Sequence, residues 1–156
     1  MTKKVKAVPE GQHSVTPYLI VKDAAKAIDF YKKAFGATEL GRMDMPNGTI
    51  GHAEIQIGDS RVMLADECPQ MNAHSPETYK GTSVTLVIYL EDVDTVFNNA
   101  IAAGGKATLP VQDQPWGDRM GTLTDPFGHV WSVATHIEDV PLEEVKKKLA
   151  AMQETQ

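Results

Sequence analysis

Two stretches of the chain repeat one order of hydrophobic and polar positions. In the first stretch, alternating residues predict a strand from His13 to Val21, and apolar residues at helical spacing predict a helix from Ala24 to Phe35. Asp23 suits the N-cap of this helix, and Gly36 suits its C-terminal end. The apolar face of the helix consists of Ala24, Ala27, Ile28, Tyr31 and Phe35. Alternation and turn residues then predict three strands, at about 38–43, 50–57 and 61–65.

The second stretch repeats this order further along the chain. A strand is predicted from Val84 to Leu90 and a helix from Val93 to Ala103, with Val93, Val96, Phe97 and Ile101 inward. Three further strands are predicted at about 107–109, 119–124 and 130–135. An offset of 69 residues pairs Asp23 with Asp92, Gly36 with Gly105 and Met63 with Ser132, without an insertion. Caps, helix ends and turns that fall in one register indicate a tandem duplication of a βαβββ module.

The remaining segments complete the predicted organisation. Residues 66–81 carry Pro69 and Pro76 and are typical of a linker, in which Ser75-Pro76-Glu77 starts one helical turn. Pro141 to Met152 predicts an amphipathic helix that packs on the domain or on a partner subunit. We therefore expect a single α+β domain over 1–156. Its parts are module 1 at about 13–66, a linker at 67–82, module 2 at about 83–136 and a C-terminal helix at about 141–152.

Composition excludes several classes of protein. The net charge of −6 over 156 residues argues against a nucleic-acid-binding surface, which needs a basic footprint. The apolar runs, such as Val84 to Leu90, are shorter than the roughly 20 residues that span a bilayer. The basic N-terminus precedes no apolar segment, so we expect a cytoplasmic protein without a membrane or nucleic-acid partner. A single cysteine, Cys68, excludes an intramolecular disulfide and a cysteine-based zinc cluster.

Two polar groups in the first module are candidates for chemistry. His52 and Glu54 alternate along a strand and share one face, with Ala53 and Ile55 on the other. A His–Glu pair that faces a cavity could transfer protons or contribute to a metal site that departs from known patterns. The alternative is a structural polar pair or a solvent-exposed face.

The segment Trp116-Gly117-Asp118-Arg119 is a candidate for ligand recognition in the second module. Arg119 could hold a carboxylate or phosphate through two hydrogen bonds, and Trp116 could stack on a ligand. The alternative is a loop that an Asp118–Arg119 contact closes, with Trp116 as its apolar plug.

Several motifs carry a resemblance to a known family. They are Val15-Thr-Pro-Tyr-Leu, Phe30-Tyr31-x-x-Ala34-Phe35-Gly36-Ala37, Gly51-His-Ala-Glu54, Trp116-Gly-Asp-Arg119 and Asp125-Pro-Phe-Gly-His-Val-Trp131. With tandem βαβββ modules, they resemble the PhnB-like branch of the vicinal oxygen chelate (glyoxalase/bleomycin resistance/dioxygenase) superfamily. The resemblance implies that each module curls its sheet into a half-barrel around a cavity, with helices outside. It also implies a homodimer, in which the linker is the pivot of any module exchange.

The resemblance also implies four positions at which the metal-dependent members carry ligands. In this sequence they are Thr16, Met63, Thr85 and Ser132, and none is a His, Asp, Glu or Cys residue. Hydroxyl and thioether groups are poor ligands for zinc, nickel or iron, so we expect neither a metal nor another cofactor. Four more residues share the implied cavity-facing parity and would bind ligand with Trp116, Asp118 and Arg119: Tyr18, Arg61, Tyr89 and His136.

These observations lead to one expected function and two alternatives. The expectation is a PhnB-like protein that binds a small organic molecule without the metal ligands of the superfamily. The first alternative is a glyoxalase-type lyase or isomerase that uses His52 and Glu54. The second is a protein that confers resistance by sequestering a bleomycin-type antibiotic.

Overall fold

The computed structural model describes residues 5–154. The chain divides into two compact units, unit 1 at Met1–Thr82 and unit 2 at Ser83–Gln156. Each unit contains one four-stranded sheet and a helix that packs on it. The predicted α+β class with two βαβββ modules is confirmed. Residues 1–4 and 155–156 lie outside the described residues.

Unit 1 contains a sheet of order β1-β4-β3-β2, in which β1 and β4 are parallel and the other pairs antiparallel. A 3₁₀ turn at Pro69–Met71 follows the sheet. The elements are β1 Tyr18–Val21, α1 Ala24–Phe35, β2 Thr38–Asp44, β3 Ile50–Ile57, β4 Ser60–Asp66 and α2 Pro76–Tyr79.

Unit 2 repeats this topology, with the sheet order β5-β8-β7-β6 and a parallel β5–β8 pair. A C-terminal helix follows the sheet. The elements are β5 Thr85–Tyr89, α3 Val93–Ala102, β6 Lys106–Asp113, β7 Asp118–Thr124, β8 Val130–His136 and α4 Leu142–Gln153.

Helix α1 forms where its capping residues predict it. Asp23 accepts a hydrogen bond from the Lys26 amide at 3.1 Å, and Gly36 ends the helix in the left-handed conformation with φ 67°. All five residues of the predicted apolar face are buried, and Phe30 and Ala34 are buried with them. In α3, Val93 and Phe97 are buried as predicted, whereas the predicted inward residues Val96 and Ile101 are half-buried.

Two strands differ from the prediction. The first strand begins at Tyr18 and not at His13. Pro17 has no amide hydrogen to donate to β4, although its carbonyl still accepts from the Met63 amide at 2.9 Å. Strand β6 extends to Asp113, beyond the predicted end at Leu109 and through Pro110, because it lies at the edge of the sheet.

The segment between the two sheets contains local structure. The predicted helical turn is confirmed as α2, where the Ser75 hydroxyl caps the Thr78 amide. An antiparallel bridge between Cys68 and Ala73 folds the start of the segment back on itself, which the sequence did not indicate.

The duplicated register holds, with one exception. Tyr18 pairs with Met63 in unit 1, and Val87 pairs with Ser132 in unit 2. Val87 lies 69 residues after Tyr18, and Ser132 lies 69 residues after Met63. Glu54 also pairs with Met63, but Thr122 pairs with Ser132, an offset of 68. The expectation that no insertion is needed is therefore wrong. The chain between Thr122 and its partner Ser132 is one residue longer than the chain between Glu54 and its partner Met63, so residues of β3 and β7 correspond at an offset of 68.

The last strand of each unit anchors the helix of that unit in the same way. In unit 1, the Ala24 amide donates to the Asp66 carboxylate at 2.9 Å. In unit 2, the Val93 amide donates to the Thr135 hydroxyl at 3.0 Å. Both pairs follow the 69-residue offset, which supports duplication of a whole module.

Helix α4 begins one residue later than predicted, because Pro141 is its N-cap and not its first residue. Its apolar residues Leu142, Leu149 and Met152 are exposed. Among the described residues, no helix has both the length and the apolar character needed to cross a membrane.

Candidate functional site

The sheet of unit 1 has one face buried against α1 and one face directed away from it, which we call the open face. Ala53 and Ile55 of β3 are fully buried, whereas the alternating residues His52 and Glu54 are half-buried on the open face. Cross-strand pairing places Met63 beside Glu54 on that face. The sequence pattern therefore gave the correct parity for β3.

Tyr18 and His52 form a contact across the open face. The Tyr18 hydroxyl lies 2.8 Å from His52 Nδ1, and the ring centroids are 5.5 Å apart. The contact crosses β4, which separates β1 from β3 in the sheet. Burial raises the pKa of the Tyr18 hydroxyl, so this residue remains a neutral phenol at physiological pH. The pair presents a fixed aromatic ring beside an imidazole.

Glu54 is the centre of a second polar contact. Its Oε1 atom accepts hydrogen bonds from Gln12 Nε2 at 2.7 Å and from Arg61 Nη1 at 3.0 Å. Thr16 donates to Gln12 Oε1 at 3.1 Å, which ties the segment before β1 to this network. Gly11 approaches the Arg61 guanidinium so closely that a Cβ atom there would lie 2.3 Å from Nη2. This arm therefore partly covers the ion pair.

Two depressions lie on this side of unit 1. The first, which we call the polar hollow, has a volume of about 460 Å³ and is lined by Leu40, Gly41, Arg42, Met43, His52, Glu54 and Arg61. The second, the methionine cleft, has a volume of about 500 Å³. Its lining includes Tyr18, Ile20, Met43, Met45, Met71, Asp66, Glu67 and Cys68. Met43 borders both depressions. Tyr18 lines the cleft and His52 lines the hollow, so the hydrogen bond between them joins the two.

A separate polar cluster lies on the sheet of unit 2, on the face away from α3. The carboxylate of Asp118 accepts hydrogen bonds from the Tyr89 hydroxyl at 2.9 Å, Trp116 Nε1 at 3.0 Å and His136 Nδ1 at 2.8 Å. His136 Nε2 lies 2.7 Å from Asp139. A shallow depression of about 360 Å³ adjoins Trp116, His136 and Asp139.

The charges in this cluster stabilise one another. The hydrogen bond to Asp139, and then that to Asp118, raise the pKa of His136 above its ordinary value. Burial acts to raise the pKa of Asp118, but hydrogen bonds from His136, Tyr89 and Trp116 outweigh it and lower the pKa below its usual range. Asp118 therefore holds three aromatic side chains in place as an anion.

Arg119 does not belong to this cluster. It follows Asp118 in β7 and therefore faces α3, where Nε and Nη2 donate to Asp94 at 2.7 and 2.8 Å. Its Nη1 donates to Asp113 at 2.9 Å. Arg119 was expected to bind ligand together with Trp116 and Asp118, but alternation within β7 places it on the opposite face from Asp118.

Thr85 and Ser132 have different environments. Thr85 is exposed on the edge strand β5, opposite Val130. Ser132 is buried, with its Oγ 2.8 Å from the Thr122 hydroxyl. The structure thus groups Tyr18 with His52, Glu54 with Arg61, and Tyr89 with Trp116, Asp118 and His136.

A comparison with protein families identifies the fold. Residues 11–133 match the model of the Glyoxalase/Bleomycin resistance protein/Dioxygenase superfamily. The chain belongs to this superfamily. An uncharacterized protein of Mycobacterium bovis is 42% identical over 141 residues, covering 88% of this chain and 93% of its own.

Solved structures of other proteins have the same fold. TioX from Micromonospora sp. ML1 aligns with a TM-score of 0.63 and 29% identity, over 80% of this chain and 99% of its own. A PhnB protein from Bacillus cereus aligns with a TM-score of 0.59 and 22% identity, over 79% and 99%. The second likeness concerns the fold alone.

The residues at the implied metal positions do not fit a divalent cation. Ser132 and Thr16 offer only neutral hydroxyl groups, which are hydrogen-bonded to Thr122 and Gln12 and are weak ligands for zinc, nickel or iron. Met63 offers only a thioether, and Thr85 is a hydroxyl on an exposed edge. Within residues 5–154, no group of three or more His, Cys, Asp or Glu residues is arranged to hold a metal ion.

Sequence reasoning missed three parts of the site. Gln12 lies before the predicted first strand and was assigned no role, although it contacts Glu54. Asp139 lies between the second module and the C-terminal helix and was assigned no role, although it contacts His136. The methionine cleft depends on the Cys68–Ala73 bridge, which places Met71 near β2 and β3. The close spacing of Met43, in the exposed strand β2, and Met45, just beyond its end, was the available signal.

Proposed function

We propose that this protein binds a small organic molecule on the open face of unit 1, within the PhnB-like branch of its superfamily and without a bound metal. The observation that carries the proposal is the methionine cleft beside the Tyr18–His52 pair. A volume of about 500 Å³ lies in the range of small-molecule sites, which combine an apolar lining with a few fixed polar groups.

The division of roles follows from the contacts. Met43, Met45 and Ile20 supply apolar surface, and thioethers adapt to ligands of irregular shape. The Tyr18–His52 pair and the Arg61–Glu54 pair supply hydrogen-bonding groups at the end shared with the polar hollow. Because these groups hold one another in place, little side-chain entropy is lost when a ligand binds.

Native mass spectrometry of the purified protein, incubated with a small-molecule extract of its host cells, tests this proposal. We expect an organic adduct on the wild type that survives a metal chelator and is reduced at least about tenfold in the double variant Tyr18→Leu/Met43→Glu. The variant Val87→Glu is the control, because Val87 occupies in β5 the position that Tyr18 has in β1. One zinc, nickel or iron ion per chain, or equal adducts in wild type and double variant, would contradict the proposal.

A second candidate function is a glyoxalase-type lyase or isomerase reaction. The supporting observation is that His52 and Glu54 line the same hollow. Both recorded hydrogen bonds to Glu54 go to Oε1, and the structure records none to Oε2 among the described residues. Turnover of a glutathione hemithioacetal that the substitution Glu54→Gln abolishes would favour this candidate. Absence of turnover with added nickel or zinc would argue against it.

Sequestration of an antibiotic is a special case of the binding function. It uses the same cleft, and tolerance of a bleomycin-type drug in cells that express the protein distinguishes it from binding of a metabolite.

A further inference from the structure

We propose that the methionine cleft selects a flat aromatic ligand that carries a positive charge. This inference rests on the proposed function and names the ligand class that the cleft would take. It depends on the shape and chemistry of the lining, on a fixed aromatic ring, and on the sign of the charges around the cleft.

The apolar part of the lining is rich in exposed thioethers. Met43, Met45 and Met71 have exposed fractions of 61%, 43% and 80%, although methionine is usually a core residue. Gly51 allows Met45 to lie against the strand, since a Cβ atom there would be 2.8 Å from its sulfur. Sulfur atoms make favourable contacts with aromatic rings. Such a lining suits a flat ring system.

The Tyr18 ring also belongs to this lining. The hydrogen bond to His52 fixes its position, and nearly half of the residue is exposed. An aromatic ring attracts a cation that approaches its face, and the attraction increases when the cation is desolvated.

The charged groups of the cleft are all negative among the described residues that line it. Asp66 and Glu67 line it, and no Lys, Arg or His does. Asp66 accepts from the backbone amides of Ala24 and Ile50, and Glu67 from the Ser75 amide and the Thr78 hydroxyl. These donors are neutral, so they satisfy the carboxylate oxygens without cancelling the charge.

Glu67 remains an anion over the whole physiological range. Hydrogen bonds from Ser75 and then Thr78 lower its pKa to about 2. The charge of Lys22 lowers this pKa as well, and its Nζ lies 3.9 Å from Glu77. Both carboxylates also lie at helix N-termini, where the helix dipole offsets part of their charge. We therefore expect a preference for cations of moderate size.

The polar hollow next to the cleft contains cationic groups as well as an anionic one. Arg42 and Arg61 line it together with His52 and with Glu54, which pairs with Arg61. A ligand with an acidic group would place that group in the hollow, whereas a cationic ring would remain in the cleft. The two depressions therefore predict different charge preferences for the two ends of one site.

Three probes with the same ring system test the inference: N-methylacridinium as the cation, acridine as the neutral form and acridine-9-carboxylate as the anion. Fluorescence titration at pH 8 gives a dissociation constant for each. We expect N-methylacridinium to bind about threefold to tenfold more tightly than acridine, and the carboxylate to bind most weakly. The substitution Glu67→Gln, which keeps a hydrogen-bond acceptor, should reduce the preference for N-methylacridinium over acridine, while Asp66 and the Tyr18 ring retain part of it.

Two further variants complete the test. Asp29→Asn removes one negative charge from the exposed side of α1. It should leave the ratio of the dissociation constants of N-methylacridinium and acridine unchanged. Met45→Ala/Met71→Ala should weaken all three probes without changing their order, which locates binding in the cleft. Thermal melting confirms that each variant is folded.

Equal binding of the cation and the neutral probe, or tighter binding of the anion, overturns the charge preference and leaves the proposed function in place. Failure of all three probes to bind overturns the inferred ligand class. The proposed function is then decided separately by the adduct experiment with the host extract.

Discussion

His136 shows how one residue connects the polar cluster of unit 2 to the chain that leads into α4. Its two ring nitrogens contact Asp118 in β7 and Asp139 just beyond β8. Both contacts are strongest when the ring is protonated, because imidazolium donates from both nitrogens. The cluster therefore has a pH dependence of defined sign.

The raised pKa of His136 predicts a loss of stability at alkaline pH. A group whose pKa is higher in the folded state stabilises the protein fully below its unfolded pKa of about 6.5, and this contribution is lost as pH rises through the folded pKa. The free energy of unfolding should therefore fall above about pH 6.5 more steeply in the wild type than in His136→Gln. Urea unfolding between pH 6 and pH 9 measures the difference, and parallel curves would contradict the assignment.

Gly117 gives a second prediction at the residue scale. Its φ is 96°, and a Cβ atom there would lie 1.9 Å from the carbonyl oxygen of Glu138. Gly48 has a similar φ of 83° but no atom within 4 Å of a built Cβ. Gly48→Ala should cost about 1 kcal/mol from the backbone alone, and Gly117→Ala about 3 kcal/mol because overpacking is added. Equal losses in chemical unfolding would show that the close approach does not matter.

At the scale of elements, Asp66 connects the helix and the sheet of unit 1. Its two carboxylate oxygens accept from the first residue of α1 and the first residue of β3. Asp23, by contrast, caps only α1 and does so at the surface. Asp66 therefore fixes the position of the helix relative to the strand that carries His52 and Glu54.

Replacement of Asp66 by alanine should accordingly be more costly than replacement of Asp23. We expect a loss of about 2–3 kcal/mol for Asp66→Ala, since two amides lose a charged acceptor, and about 1 kcal/mol for Asp23→Ala. Asp66→Asn should fall between them because one acceptor oxygen remains. Chemical unfolding of the three variants gives these values, and a ranking with Asp23→Ala as the largest loss would be inconsistent with the bridging role.

The sequence predicted those elements whose ends have local chemical signals. Helices α1 and α3 begin at Asp23 and Asp92, whose side chains cap them, and both N-terminal boundaries were correct. The start of β1 was wrong, because alternation continues through Pro17 while hydrogen bonding does not. Side-chain alternation placed His52 and Glu54 on one face, and this is visible in the sequence without any tertiary information.

Features of the site that depend on tertiary contacts could not be predicted in this way. The pairing of Arg119 with Asp94 joins β7 to α3 across 25 residues of sequence. The contact of Gln12 with Glu54 spans 42 residues and requires the arm to fold back over β3. The methionine cleft likewise requires the Cys68–Ala73 bridge. None of these contacts leaves a periodic pattern in the sequence.

At the scale of the whole molecule, the two units share a topology but differ in the chemistry of their open faces. Tyr18, Glu54 and Met63 of unit 1 correspond through strand pairing to Val87, Thr122 and Ser132 of unit 2. The polar groups proposed to recognise a ligand therefore occur in one copy of the duplicated module. The homodimer implied by the resemblance stays a prediction, and the exposed apolar residues of α4 are candidates for such a contact.

The central claim is that a small organic molecule binds in the methionine cleft without a metal, and the methionine methyl groups report on it directly. The chain has seven methionines, of which Met43, Met45 and Met71 line the cleft, whereas Met120 and Met152 belong to unit 2. Methyl NMR of the protein, titrated with the small-molecule extract and separately with zinc or nickel, distinguishes these groups. We predict shifts of the three cleft signals with the extract and none with either metal. Shifts confined to Met120, or shifts of the cleft signals only with a metal, would contradict the account.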